Sequence, residues 1–181
     1  MGWSNRREHD MSRDRTGRMP GVLMILAGGV ALAFAWWVER GLGIMPCELC
    51  LLERWPWRIL MVAGVAAAVL PGGLRRVFLW CGVLLMLGSL GLTVCHAGVE
   101  WGWWPSPLPA CHAPHVSGRT MAERLASMPL RPQKPCDSPT YLIPGLPVSM
   151  SVMGGVYALV VLAGLIGGLR SGQRHTRRIF H

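Results

Sequence analysis

Four long apolar runs restrict what this sequence can fold into. The first, from Pro20 to Val38, has 19 residues and is long enough to cross the roughly 30 Å hydrocarbon core of a bilayer as a helix. Three more occupy about residues 47–70, 77–99 and 148–169. A cleaved signal peptide would have a shorter apolar core, about 7–15 residues, followed by small residues, whereas the end of this run carries Trp36-Trp37. The sequence therefore predicts an all-α membrane protein that retains its first helix.

Polar segments divide the chain around these runs. We interpret residues 1–19 and 171–181 as tails, and residues 20–170 as a transmembrane domain whose outer loops are residues 39–46 and 100–147. Short connections between helices predict antiparallel neighbours, and abundant Gly and Ala in the runs would permit close helix contact. The expected fold is an antiparallel four-helix transmembrane bundle with one long outer loop.

The distribution of arginine predicts the orientation. Of the residues behind the net charge of +9, eleven Arg lie beside the runs on one side with three acidic residues, while the other side has seven Lys or Arg and six acidic residues. Basic residues concentrate on the cytoplasmic side of membrane proteins, so both termini should be cytoplasmic. Clusters that flank apolar runs do not form a DNA-binding face, and we expect no nucleic-acid partner.

A Cys-x-x-Cys pair, Cys47 and Cys50, begins the second run. Unpaired N–H groups at a helix N-terminus favour a thiolate, and Arg54, four residues after Cys50, projects from the same face one turn deeper. A thiolate and a cation beside hydrocarbon suggest electron transfer to an acceptor in the lipid. The plainer alternatives are a structural disulfide and an Arg54 side chain that anchors the helix at the interface.

A second pair, Cys111 and Cys136, lies in the long outer loop. Two such cysteines often only staple a loop. Disulfides exchange by attack of a thiolate on sulfur, however, so two pairs on the same side of the membrane could form a relay, one pair meeting a soluble partner and the other the membrane.

His96 lies near the outer end of the third run, one turn before Glu100. At about the depth of Arg54 it could donate a hydrogen bond to a quinone carbonyl, or it could simply pack and hydrogen-bond. A metal is the alternative, since Cys95-His96 and Cys111-His112-x-x-His115 place soft ligands close together, although the usual zinc spacings are not matched. Covalent haem attachment would need His, not Leu51, after Cys50.

Three smaller features complete the pattern. Residues Val116 to Met128 have apolar side chains at helical spacing, which indicates an amphipathic helix on the bilayer surface or an ordinary loop helix. Cys81 should pack inside the third run. Cys95, near its outer edge, could pack or provide a spare thiol.

Together these residues resemble the disulfide bond formation protein B (DsbB) family of bacterial inner-membrane thiol:quinone oxidoreductases, over about Gly21 to Leu169. The motifs that carry the resemblance are Pro46-Cys47-x-x-Cys50-x-x-x-Arg54, His96 ahead of the Trp-rich exit, Pro105-Ser106-Pro107 before Cys111, and Cys136 before Gly145-Leu146. Cys95 and the length of the Arg-rich N-terminal tail depart from the family's usual pattern.

The resemblance implies a relay and a location. A reduced periplasmic thioredoxin-like protein of the DsbA type would attack the Cys111–Cys136 disulfide and form a mixed disulfide with Cys111. Cys136 would then exchange with Cys47, freeing Cys50 to pass electrons to ubiquinone, or menaquinone, of the membrane quinone pool. Arg54 and His96 fall where the family's quinone-site residues lie. The outer loops would then be periplasmic, and the protein a multi-pass protein of the bacterial inner membrane.

Two other functions remain open at this point. A quinone reductase of the vitamin K epoxide reductase type uses similar cysteine pairs, but there the loop pair precedes the Cys-x-x-Cys pair, the reverse of the order here. A membrane protein that binds metal or haem, without enzymatic activity, would use His96, His112, His115 and the thiols.

Overall fold

The computed structural model describes residues 3–111, 119–127, 134–142 and 148–177. The helices are α1 (Trp3–Gly41), α2 (Glu48–Val69), α3 (Gly72–Glu100), α4 (Met121–Ala126) and α5 (Met150–Arg177), with a 3-10 turn at Pro109–Cys111. In these residues the only β-type pairing is an isolated bridge between Tyr141 and Ser149. The prediction of an all-α fold is confirmed.

Three helices in the described part of the chain are long and apolar enough to cross a membrane. Their apolar portions are Arg18–Gly41 in α1, Gly72–Glu100 in α3 and Met150–Ser171 in α5. Each contains or nearly coincides with a predicted run. Helix α2 has 22 residues and is long enough, but its first half carries four charged residues, namely Glu48, Glu53, Arg54 and Arg58. Its membrane crossing, and with it the count of four spans, stays a prediction.

Helices α1 and α2 pack through small residues. A Cβ atom added to Gly21 would lie 2.9 Å from the backbone nitrogen of Ala68, and one on Gly28 would lie 2.8 Å from the carbonyl oxygen of Trp57. Residue numbers rise along α1 as they fall along α2, so the two helices are antiparallel. The added Cβ of Gly28 would also meet the Met61 side chain. The expected close contact of helices through glycine is confirmed.

Helix α3 packs beside α2, and α5 packs against both α3 and α1. The interior holds fully buried side chains from all four long helices, for example Met24, Leu60, Met86 and Leu165. Outward-facing positions are also apolar: the side chain of Val62 is 71% exposed and that of Leu84 is 66% exposed. So much exposed apolar surface is expected of helices that face lipid.

Six of the seven exposed tryptophans among the described residues lie at one end of the helices, where α1 ends, α2 begins and α3 ends. They are Trp36, Trp37, Trp55, Trp101, Trp103 and Trp104, whereas Trp80 is exposed in the first third of α3. Tryptophan concentrates where hydrocarbon meets water because its ring is apolar and its N–H is polar. This end of the helices therefore has the composition of a membrane interface.

The predicted amphipathic helix of the long loop is present in shorter form. Helix α4 covers Met121–Ala126, and the side chains of Thr120 and Glu123 cap it reciprocally. The pKa of Glu123 is lowered because its carboxylate accepts hydrogen bonds from the backbone N–H groups of Arg119 and Thr120. Residues 116–118 and 128 lie outside the described residues.

Candidate active site

Cys47 is the N-cap residue of α2, in an extended conformation just before the first helical turn. Its sulfur accepts a hydrogen bond from the backbone N–H of Cys50, with Sγ and N 3.3 Å apart. The two Sγ atoms are 2.9 Å apart, and neither is in a disulfide. Cys47 is buried while Cys50 is half-buried. The helix start thus supplies N–H donors to a buried sulfur, as the Cys-x-x-Cys spacing predicted.

His96 of α3 lies directly against Cys47. Its Nε2 is 3.5 Å from Cys47 Sγ and its Nδ1 is 3.2 Å from a carboxylate oxygen of Glu53. Glu100 approaches Nε2 at 3.7 Å, and the hydroxyl of Ser151 donates to its other oxygen at 2.6 Å. Carboxylates on both sides fix the orientation of the ring, so His96 can exchange a proton with the Cys47 sulfur.

Arg54 pairs with Glu39 at the end of α1, with Nη2 and Oε1 2.5 Å apart. Both side chains are largely buried, so the ion pair is one of the contacts that tie α2 to α1. Arg58 lies on the outside instead, with its guanidinium 5.5 Å from the centre of the exposed Trp55 ring.

A cavity of about 310 Å³ lies between α1, α2 and α5. Its lining is mainly apolar and includes Phe34, Trp57 and Tyr157, whereas Cys50 and Arg54 provide a sulfur and a cation. The rings of Trp57 and Tyr157 are 5.2 Å apart. A mainly apolar wall with a few polar groups is typical of a small-molecule site. Its apolar lining suits an apolar ligand, and Arg54 could donate a hydrogen bond to an acceptor on it.

The loop cysteines Cys111 and Cys136 form a disulfide. They share one buried cluster with Cys47, and Leu49 and Val99 complete it, with Cys50 packed against it. The structure therefore brings both predicted cysteine pairs together at the tryptophan-rich end of the helices.

The other predicted cysteines and histidines are farther from this centre or not described. Cys81 is exposed on α3, so the expectation that it packs inside the helices is wrong: it faces outward, where a small apolar thiol is tolerated in lipid. Cys95 is half-buried and unbonded. His112 and His115, like Gly145-Leu146, lie outside the described residues.

Two carboxylates in the site had no assigned role in the sequence interpretation. Glu53 lies three residues after Cys50, and this spacing places both side chains on one helical face. The spacing could have suggested that Glu53 belongs to the site. Glu39 contacts Arg54 across 15 positions of sequence. Its position at the end of an apolar run was the sequence signal that could have suggested a role for it. Of the described residues, Cys47, Cys50 and His96 form a group whose ligand atoms all lie within 4.8 Å of one another.

Comparison with known proteins gives a consistent picture. The profile of the family "Disulfide bond formation protein DsbB" matches residues 17–167. A "Disulfide bond formation protein B" of Acinetobacter baylyi is 28% identical over 95 residues, which cover 49% of this chain and 53% of that protein. One of Polaromonas sp. is 26% identical over 110 residues, 60% of this chain and 61% of that protein. The chain thus aligns with about half to three fifths of the length of these relatives. No solved structure matches it significantly.

Proposed function

The chain belongs to the family of disulfide bond formation protein DsbB, and on this premise we propose that it is a membrane oxidoreductase that makes disulfides de novo. A periplasmic thioredoxin-like dithiol protein of the DsbA type is the electron donor, and membrane quinone is the acceptor. The observation that carries the proposal is the packing of the Cys111–Cys136 disulfide against Cys47 and Cys50, with Cys50 also lining the apolar cavity.

The first exchange takes place at the loop disulfide. A partner thiolate attacks Cys111 Sγ, a mixed disulfide forms, and Cys136 leaves as a thiolate. The partner's second thiol then displaces Cys111. The partner departs with a disulfide, and its two electrons remain on the Cys111–Cys136 dithiol.

The second exchange transfers these electrons to α2. The Cys136 thiolate attacks Cys47 of a Cys47–Cys50 disulfide, and Cys50 leaves as a thiolate; attack of Cys111 on Cys136 then releases Cys47 and restores the loop disulfide. His96, 3.5 Å from Cys47, accepts or returns the proton as this sulfur alternates between thiolate, thiol and disulfide. Glu53 holds the ring in place through Nδ1. A closed loop disulfide beside unbonded Cys47 and Cys50 is the arrangement expected after this exchange.

The cavity between α1, α2 and α5 is the proposed quinone site. A bound quinone, ubiquinone or alternatively menaquinone, supplies an acceptor for two electrons and two protons. Cys50 faces this cavity, and Arg54 provides guanidinium donors for a carbonyl oxygen. His96 lies in the adjoining pocket, which Cys50 and Arg54 also line, so the proposed contact of His96 with quinone would come from that side.

The proposed location is the bacterial inner membrane. In this arrangement α1, α2, α3 and α5 form an antiparallel four-helix transmembrane bundle, the loops that carry the cysteines are periplasmic, and both termini are cytoplasmic. The arginine distribution of the sequence supports this orientation.

The proposal is tested by quinone reduction with purified protein in detergent. With ubiquinone and a reduced DsbA-type protein, quinol should appear in step with disulfide in the partner. Cys50→Ser should be inactive, because it cannot reform the α2 disulfide, and Cys95→Ser is the matched control. If neither substrate is consumed while the partner is demonstrably competent, the cysteines do not form a relay.

The vitamin K epoxide reductase type is the second candidate among enzymes. The order of the cysteine pairs along the chain and the family match both favour the DsbB type, and no observation in the described residues favours the alternative.

A further inference from the structure

Three potential metal ligands converge where α2 begins beside α3. They are the sulfurs of Cys47 and Cys50 and the Nε2 atom of His96, all within 4.8 Å of one another. We propose that the dithiol form of this protein binds one Zn²⁺ ion through these three atoms. The inference goes beyond the proposed relay, in which these residues handle only electrons and protons.

The distances suit tetrahedral zinc. With Zn–S bonds of about 2.3 Å and Zn–N bonds of about 2.0 Å, a thiolate and an imidazole on one ion lie about 3.5 Å apart, and Cys47 Sγ and His96 Nε2 are 3.5 Å apart. Two thiolates on one ion lie about 3.8 Å apart, against 2.9 Å here. Rotation of the half-buried Cys50 side chain, on the first turn of α2, can supply this separation.

The surroundings of His96 resemble those of a zinc-bound histidine. A metal-bound imidazole usually donates its second ring N–H to a carboxylate, which fixes the tautomer and the ring orientation. Here Nδ1 lies 3.2 Å from Glu53, while Nε2 lies 3.5 Å from the Cys47 sulfur and 3.7 Å from a Glu100 oxygen, so Nε2 is the ring nitrogen that a metal beside the sulfurs would bind. Two thiolates neutralise the charge of the ion, and the fourth position remains for water.

Zinc and the relay compete for the same sulfurs. A Cys47–Cys50 disulfide has no thiolate to offer, so Zn²⁺ binds only the dithiol form, and the bound ion withholds both sulfurs from exchange. We therefore expect Zn²⁺ to hold the protein in the dithiol state and to stop turnover until it is removed by a chelator.

The test measures binding without quinone or partner, so that its failure would leave the proposed relay intact. The background is a full-length variant in which Cys81, Cys95, Cys111 and Cys136 are serine, leaving Cys47 and Cys50 as its cysteines. The protein is reduced, freed of reductant and titrated with Zn²⁺ against a competing chelator. Co²⁺ provides a second readout, since thiolate-to-cobalt absorption reports the ligands directly.

One equivalent of Zn²⁺ should bind the dithiol form, and none should bind after Cys47 and Cys50 are oxidised to a disulfide. Glu53→Gln should weaken binding about 10- to 100-fold, as loss of a partner that orients a ligand does. His96→Gln should weaken it further and change the cobalt spectrum. Replacing His112 and His115 together by Ala is the matched control, which should bind as before.

Equal binding to the oxidised protein, or affinity within threefold of the background for His96→Gln, would overturn the site. Loss of binding in the His112 and His115 variant would do the same, because it would place the ion in the loop. Elution as a monodisperse peak with unchanged tryptophan fluorescence shows that each variant is folded.

Discussion

Among the described residues, Arg54 is the cation that lines the cavity together with Cys50, and its ion pair with Glu39 holds it in position. Arg54→Ala should raise the apparent KM for quinone about tenfold, equivalent to about 1.4 kcal/mol, because a charged donor to a carbonyl oxygen is lost. Glu39→Gln should raise it less, about threefold, since Arg54 remains but is less firmly held. Quinol formation measured against quinone concentration gives both values.

Arg58→Ala is the control for this pair, because Arg58 stacks on Trp55 outside the cavity lining. Its KM for quinone should stay at the wild-type value. An unchanged KM in Arg54→Ala would instead identify Arg54 as an interfacial anchor that holds α2 against α1.

Cys111 is the loop cysteine that the partner's thiolate attacks in the proposed relay. Cys111→Ala should lower turnover with the dithiol protein at least a hundredfold, because no disulfide remains for the partner's thiolate to attack. The cavity proposed to bind quinone is lined by other helices, so quinone should still copurify in wild-type amount. An assay of partner oxidation measures the loss of turnover, and extraction of quinone from the purified protein measures how much quinone stays bound.

Retained turnover in Cys111→Ala would remove the loop pair from the mechanism. Loss of quinone together with turnover would indicate that the loop disulfide supports the fold of this end of the protein, because it packs against the residues that begin α2.

At the scale of elements, close packing of α1 on α2 depends on glycines that cannot accept a side chain. A Cβ atom on Gly64 would lie 2.8 Å from Met24 Cβ and 2.9 Å from the carbonyl oxygen of Gly21, whereas one on Gly88 would meet nothing within 4 Å. Gly64→Ala should therefore cost about 1–3 kcal/mol through overpacking. Gly88→Ala should be neutral or stabilising by up to about 1 kcal/mol, because Ala favours helix.

The melting temperatures of the two variants are compared by thermal unfolding in the same detergent. We expect the melting temperature of Gly64→Ala to fall by several degrees and that of Gly88→Ala to hold or rise. Equal melting temperatures would show that the helices can move apart at Gly64 without loss.

The elements that local sequence signals determine were predictable. Long apolar runs identified α1, α3 and α5. The sequence Pro71-Gly72-Gly73 is a typical turn signal, and α2 ends just before it: Leu70, which precedes proline, is extended, and Gly72 has φ +52°. The ends were less predictable. Helix α1 begins at Trp3, within the predicted tail, because helix formation there depends on polar residues that hydrophobic periodicity does not report.

The sequence predicted the two cysteine pairs and their position at one end of the helices, but it did not predict the contacts around them. The contact of His96 with Cys47 and Glu53 joins residues 49 and 43 positions apart. Such contacts depend on how α2 and α3 are rotated about their axes, and spacing along one helix does not determine that rotation. The contact of Glu39 with Arg54 likewise depends on how α1 and α2 are rotated about their axes, so the sequence did not predict it.

At the scale of the whole molecule, α2 differs from the other long helices because its charged residues lie within its predicted span. Two of these charges have partners on other helices: Arg54 pairs with Glu39 of α1 and Glu53 contacts His96 of α3. Paired charges that face the interior of a bundle cost far less in a membrane than charges exposed to lipid. Because of this pairing, we expect α2 to cross the membrane although its sequence is less apolar than those of its neighbours.

The side of the membrane on which each loop lies distinguishes a protein with three spans from one with four. If α2 crosses, the turn at Gly72-Gly73 lies on the cytoplasmic side with both termini, and the loop that contains Cys111 and Cys136 lies on the opposite side. Alkaline phosphatase, which is active only outside the cytoplasm, should be inactive when fused after Gly73 or after His181 and active when fused after Ser138. If α2 stays on one side, a fusion after Gly73 would be active instead, because only α1 would precede it. The same Gly73 fusion in a Glu39→Gln, His96→Ala background tests the physical reason. With Arg54 and Glu53 both without their partners, α2 should stay outside the membrane in a larger share of molecules, and phosphatase activity should rise. An unchanged activity would show that length and apolar content alone drive insertion.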